Sequence, residues 1–228
     1  MGVHTGAYES IVKELKPKNV TLVAVSKTKP AEDIQEMYHL GQRDFGENYV
    51  QELTNKQVHL PSDIRWHFIG HLQSNKVKYI VPFVHLIHGV DSRKLLVEIN
   101  KQASKIQRNV ACLLQVHIAQ EETKFGFDES ELMIFIQELT KNAADFGNVT
   151  IKGLMGMASF SNDKEKVREE FKVLKRMFDK CSAVLGNSKH MMEILSMGMS
   201  ADYDIAIAEG SSMVRIGSLL FGNRSYPQ

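Results

Sequence analysis

Apolar residues along this chain come in short unbroken runs, set apart by longer stretches in which they return every third or fourth position. The runs read as strands: TLVAVS (21–26), DFGE (44–47), WHFIG (66–70), LIHGV (86–90), ACLLQVHI (111–118), IKGLMGM (151–157), EILSM (193–197) and MVRIG (213–217). The stretches between them read as helices. In PAEDIQEMYHLG, Pro30 opens the segment, Glu32 and Asp33 fall in the first turn, Ile34, Met37 and Leu40 share a face, and Gly41 stops it. In VREEFKVLKRMFDKCSAVLG, Val167, Phe171, Leu174, Phe178, Cys181 and Leu185 recur at helical steps before Gly186 closes the run. A further helix is predicted over about residues 5–16, ended by Pro17.

Eight strands alternating with helices imply parallel strands joined by crossover helices. Eight such repeats in a chain of 228 residues fit a (β/α)8 barrel, whereas a doubly wound sheet more often stops at five or six strands. No Pro/Ser-rich linker or low-complexity run divides the chain, so residues 1–228 are expected to form a single barrel domain with an N-terminal helix.

Composition narrows the partners. An apolar fraction of 43% and a charged fraction of 24% are those of an ordinary soluble protein. The formal net charge of +1 offers no overall attraction for nucleic acid or an anionic membrane. RWHFIGHLQSNKVKY mixes basic and aromatic residues, but reads as a strand followed by an ordinary solvated helix. Cys112 and Cys181 fit no metal spacing, and Cys112 lies in an apolar run as a buried thiol would. The start, MGVHTGAYES, lacks the apolar stretch of a signal peptide, and no apolar run approaches the ~20 residues of a membrane span. A reducing, cytoplasmic setting is expected.

Candidate chemistry gathers at the strand ends, where barrels of this class build their sites. Side chains alternate along a strand, so Val23, Val25 and Lys27 share one side and Leu22, Ala24 and Ser26 the other. With the valines inside, Lys27 is the inward residue at the barrel mouth, where desolvation frees a lysine amine to attack an aldehyde. Lys29 precedes Pro30 at a helix entry. At the other end, EGSSMVRIGSLLFGNR offers Gly210, Gly217, Gly222, Ser211, Ser212 and Ser218 as turn formers or as phosphate donors after the last strands. Arg215, inside the eighth strand, needs an acceptor because it cannot shed its charge; a carboxylate is the ordinary partner. His67 and His71 have an i, i+4 spacing, but they straddle a strand and Gly70. His85 and His88 face opposite sides, and no Cys or carboxylate pattern completes a metal site.

The segments VAVSKTKP, QRDFGENYVQEL, WHFIGHLQSNK, LLQVHIAQEETKFGF, GLMGMASF and LSMGMSADYDIAIAEGSSMVRIGSLLFG, in that order, resemble the pyridoxal-phosphate homeostasis proteins over about residues 20–224. The resemblance implies the barrel of the alanine racemase N-terminal domain. It implies that Lys27 forms an internal aldimine with pyridoxal 5'-phosphate, that Ser196, Gly217 and Ser218 hold the phosphate, that Arg215 faces the pyridine nitrogen, and that Asn48 lines the pocket. Two positions depart from the family pattern, His117 where Asn is more usual and Phe125 where His is.

An arginine only donates hydrogen bonds, so a pyridine nitrogen facing it accepts and stays unprotonated, which makes a weak electron sink. The expected function is therefore a carrier or buffer of pyridoxal phosphate serving cofactor-dependent apoenzymes, without firm turnover. The alternative is a cofactor-dependent amino-acid racemase, and a barrel whose site is lost is a third reading, which the retained lysine and phosphate positions oppose. Alanine racemase uses a tyrosine from a second domain of its partner subunit; this chain ends soon after its eighth strand, so a monomer is expected. Tyr49 and Tyr203 are the tyrosines available to substitute.

Overall fold

The computed structural model describes residues 2–119, 126–186 and 188–222. Its strands are β1 (Thr21–Val25), β2 (Asp44–Glu47), β3 (Arg65–Phe68), β4 (Leu86–Val90), β5 (Val110–His117), β6 (Val149–Met157), β7 (Ile194–Ser196) and β8 (Met213–Ile216). They pair in parallel and in chain order, and β8 returns to β1 with Met213 opposite Thr21 and Arg215 opposite Val23. The sheet is thus a closed eight-stranded barrel, as the alternating pattern predicts. The helices are α1 (Thr5–Leu15), α2 (Ala31–His39), α3 (Val50–His59), α4 (Val77–Ile80), α5 (Arg93–Lys105), α6 (Glu129–Lys141), α7 (Lys164–Leu185), α8 (Tyr203–Ala208) and α9 (Ser218–Phe221).

Strand alternation sorts the side chains as expected. Val23, Leu86, Leu113, Met155 and Met213 form a cluster of their own, while Leu22 and Ala24 belong to the larger core with the helices. On α7, Asp163 caps the start by accepting from the backbone N–H groups of Glu165 and Lys166. Its buried stripe contains Val167, Phe171, Leu174, Cys181 and Leu185, but Met177 takes the place expected of Phe178, which is half-buried. Leu40 likewise falls past the end of α2 and lies at the surface.

The solvated helix expected after WHFIG is corrected. The strand runs Arg65–Phe68, because Arg65 joins β3 opposite Asp44 and forms an ion pair with it. A short 3₁₀ turn, Ser74–Lys76, then leads into the single turn of α4, whose Val77 and Ile80 are buried. Between them the chain passes so close to β2 that a Cβ on Gly70 would meet the backbone oxygen of Asn48 at 2.3 Å. Both cysteines are buried thiols, and burial pushes Cys181 up to about 12 and Cys112 higher still. Among the described residues no helix is long and apolar enough to cross a membrane. His117 ends β5; Phe125 lies outside the described residues.

Leu113 is fully buried inside the barrel. Leu113→Ala is expected to lower the unfolding free energy by about 2–5 kcal/mol, read from urea titration. An unchanged midpoint would contradict its place in that packed layer.

Candidate functional site

Lys27 follows β1, Asn48 follows β2, Ser196 ends β7, and Arg215, Gly217 and Ser218 lie along β8 and the start of α9. The strands β7, β8, β1 and β2 are consecutive around the closed sheet. The six sequence candidates therefore lie along one arc of the barrel, at its C-terminal end. That end is where (β/α)8 barrels assemble their sites.

Lys27 is half-buried, and its two neighbours are locked. Ser26 turns outward, as strand parity requires, and its Oγ donates to Glu47 Oε1 at 2.6 Å. Lys56 Nζ, from α3, donates to Ser26 O at 2.8 Å, to Glu47 Oε1 at 2.8 Å and to Glu52 Oε1 at 2.7 Å. The N–H of Thr28 donates to Glu52 Oε1 at 2.6 Å. That bond helps hold Thr28 at φ 63°, a left-handed conformation uncommon for a β-branched residue. Burial raises Glu47 to about 7 even with Lys56 and Ser26 beside it. Lys29 acts on the loop instead, because its Nζ donates to the carbonyl of Phe221 at 2.6 Å and ties the Lys27 segment to the end of α9.

Arg215 is buried inside the barrel, and the ordinary expectation of a carboxylate partner is not met. Its Nη1 donates to Ser196 Oγ at 2.7 Å and its Nη2 to the carbonyl of Gly156 at 3.0 Å. Among the described residues no carboxylate lies within ion-pair distance of it; Asp202 acts on it only through space. Burial lowers its pKa to about 10, so it remains a cation at neutral pH.

Ser196 ends β7. It is fully buried, and its Oγ sits between Arg215 Nη1 and His88 Nδ1, the latter at 3.2 Å. Ser200, four residues on and half-buried, accepts from the N–H of Gly217 at 3.3 Å. Two glycines shape this loop pair. Gly198 has φ 97°, and a Cβ there would meet Ala206 Cβ at 2.6 Å; at Gly217 it would press on the Cβ and carbonyl oxygen of Val25 at 3.3 Å. Asn48 Oδ1 is buried with no hydrogen-bond partner among the described residues. Asn48 and its neighbour Tyr49 line a cleft of about 380 Å³ with Gly70, His71 and Gln73.

Several of these groups escape a sequence reading. Glu52 and Lys56 carry a visible i, i+4 signal, but Glu47 and Ser26 meet them only through the fold. Asp44, His67 and His85 come together with ligand-type atoms within 4.8 Å of one another, although no spacing announces them. Both Asp44 oxygens already accept from Arg65, at 2.7 and 2.5 Å, and Oδ1 also meets His67 Nε2 at 3.0 Å. The carboxylate of that cluster is thus already occupied.

The sequence profile of the family described as "Alanine racemase, N-terminal domain" matches residues 7–225. A "Pyridoxal phosphate homeostasis protein" of Aquifex aeolicus is 41% identical over 206 residues, covering 90% of this chain and 87% of that protein. Among solved structures, PipY of Synechococcus elongatus is known without and with PLP bound. The PLP-bound form superposes with a TM-score of 0.84 at 34% identity, covering 96% of this chain and 99% of PipY. Alanine racemase from Bartonella henselae is 17% identical with a TM-score of 0.68, and 98% of this chain covers 60% of it, a likeness of fold alone.

The Lys56 cluster yields a stability test. Lys56 and Glu47 are 8% and 0% exposed, so Lys56→Met removes the donor that the buried Glu47 carboxyl group and the buried Ser26 carbonyl share. The expected cost is about 3–5 kcal/mol by denaturant titration. Lys18→Met, at a surface pair with Glu14, is expected to cost about 0.5 kcal/mol or less. Equal costs for the two variants would contradict the clamp.

Proposed function

This chain belongs to the family of pyridoxal phosphate homeostasis proteins, with the barrel of the alanine racemase N-terminal domain, and we propose that it binds pyridoxal 5'-phosphate through Lys27 and carries or buffers it for apoenzymes. The observation that carries this reading is a buried guanidinium with no carboxylate partner among the described residues, on the same arc of the barrel as Lys27. A donor-only group there suits a ring nitrogen that accepts. The amine of Lys27, between two locked neighbours, is the group that attaches to the aldehyde. Gly217, Ser218 and Ser200, in the loops after β7 and β8, suit the phosphate, and the unpartnered Asn48 Oδ1 suits a donor on the ligand. Ser196 acts on the ligand through Arg215. PLP in the related PipY supports the ligand class.

When bound, the cofactor offers an electron sink for amino-acid chemistry, and its strength depends on what faces the ring nitrogen. Arg215 cannot accept a proton from a pyridinium, so it leaves that sink weak. This favours carrying over turnover, and with it go a cytoplasmic setting and a monomer. One observation favours a second reading, a racemase. Tyr49 is 58% exposed at the cleft beside Asn48, so its phenol is accessible as a second acid–base group. Tyr203, by contrast, donates to Glu14 on α1, outside the barrel.

Borohydride reduction of the loaded protein followed by peptide mapping tests the attachment. The label is expected on the peptide containing Lys27, and Lys27→Ala should abolish it. Undiminished covalent trapping in that variant would refute the assignment. Incubation with a panel of amino acids in deuterated water tests the carrier reading, which expects no catalytic exchange at Cα. Multiple turnovers lost in Tyr49→Phe would replace it with the racemase.

A further inference from the structure

A hydrogen-bonded chain crosses the inside of the barrel from its N-terminal to its C-terminal end. Asp44, the first residue of β2, meets His67 Nε2 at 3.0 Å. His67 Nδ1 meets His88 Nε2 at 2.9 Å, His88 Nδ1 meets Ser196 Oγ at 3.2 Å, and Ser196 Oγ meets Arg215 Nη1 at 2.7 Å. Ser196 is the last residue of β7, and His67, His88 and Ser196 are 1%, 0% and 0% exposed. The interior links are therefore shielded from bulk water.

The direction of every link follows from what each group can donate. Burial works against the Asp44 carboxylate, but hydrogen bonds from His67 and Arg65 hold it down to about 2, so it accepts only. His67 therefore carries its proton on Nε2. A neutral ring then leaves Nδ1 as an acceptor, so His88 carries its proton on Nε2 as well. Burial keeps His88 neutral, with its pKa well below the ordinary histidine value. His88 Nδ1 is left to accept, and the Ser196 hydroxyl supplies the hydrogen. Arg215 donates to the same oxygen, and every group is satisfied. A charged His67 would reverse the chain and leave the Ser196 hydrogen without an acceptor among the described residues.

We propose that His67 and His88 are positioning residues that hold the Arg215 guanidinium in place through Ser196, from the far side of the barrel. A hydroxyl that donates to His88 is a better acceptor for Arg215, because hydrogen bonds in a chain polarise one another. Ser196 is thereby committed, with its hydrogen turned away from the mouth. The consequence for cofactor binding rests on the reading of Arg215 as the group facing the ring nitrogen; the proton positions do not.

Two measurements test the proposal. The first is ¹⁵N NMR of ligand-free protein labelled at histidine. His67 and His88 are both expected as neutral rings protonated at Nε2, and a His88 protonated at Nδ1 or a charged His67 overturns the chain. The second is titration with pyridoxal phosphate. His88→Asn keeps an acceptor for Ser196, whereas His88→Leu removes it. The Leu variant is expected to bind about tenfold more weakly, with an altered visible spectrum, and the Asn variant within about twofold of the parent. Equal effects from the two variants, or none from either, overturn the positioning role. If the parent protein takes up no pyridoxal phosphate, the cofactor reading fails, and the NMR spectrum alone decides the chain.

Discussion

A guanidinium sealed inside a β-barrel is the constraint on which the rest of this site depends. Arg215 keeps its proton at neutral pH, so burying it demands acceptors in fixed places. Arg215 finds them in a hydroxyl on β7 and a backbone carbonyl on β6, with no carboxylate in contact among the described residues. The hydroxyl is itself oriented by His88 on β4, that ring by His67 on β3, and that one by Asp44 on β2. Strands β3 and β4, which carry none of the six candidate residues, are thereby drawn into its geometry. The barrel interior divides into an apolar cluster around Val23 and Leu113 and a polar chain beside it.

The other half of the site meets a different requirement. The lysine proposed to attach the cofactor needs a constant position, while the loop that carries it has left the sheet. The solution is to lock the residues on either side. Ser26 and Thr28 are held by Glu47, Glu52 and Lys56, all from β2 and α3, and Lys29 ties the loop to α9. The segment FGENYVQEL thus belongs to the lysine as much as to its own strand and helix. Both halves meet because β8, which carries Arg215, is the neighbour of β1 in the closed sheet.

Much of this is legible in the order of residues alone. The run LIHGV coincides with β4 because a fully buried parallel strand needs an apolar or small residue at nearly every position, and DFGE coincides with β2 because its two buried carboxylates are paired with Arg65 and Lys56. Parity along TLVAVSK places Val23 inward and Ser26 outward, because alternation depends only on backbone geometry. Contacts made by closing the barrel are not legible. Ser26 and Lys56 are 30 residues apart, His88 and Ser196 are 108 apart, and nothing local marks either pair. The contacts of Ser196 escape for the same reason: a serine in a glycine-rich stretch suggests a loop donor, and only the closed barrel brings it, at the end of β7, between Arg215 and His88. The short α4 escapes because helical periodicity does not reveal a chain that must first pass close to Asn48.

The proposed carrier role rests on Arg215 facing the ring nitrogen and keeping it unprotonated. Loading the protein with cofactor labelled at that nitrogen and recording its ¹⁵N spectrum at neutral pH tests this directly. The expected resonance is that of an unprotonated pyridine accepting a hydrogen bond, with a shift toward the free-ligand value in Arg215→Met. The resonance of a pyridinium in the parent protein would contradict it.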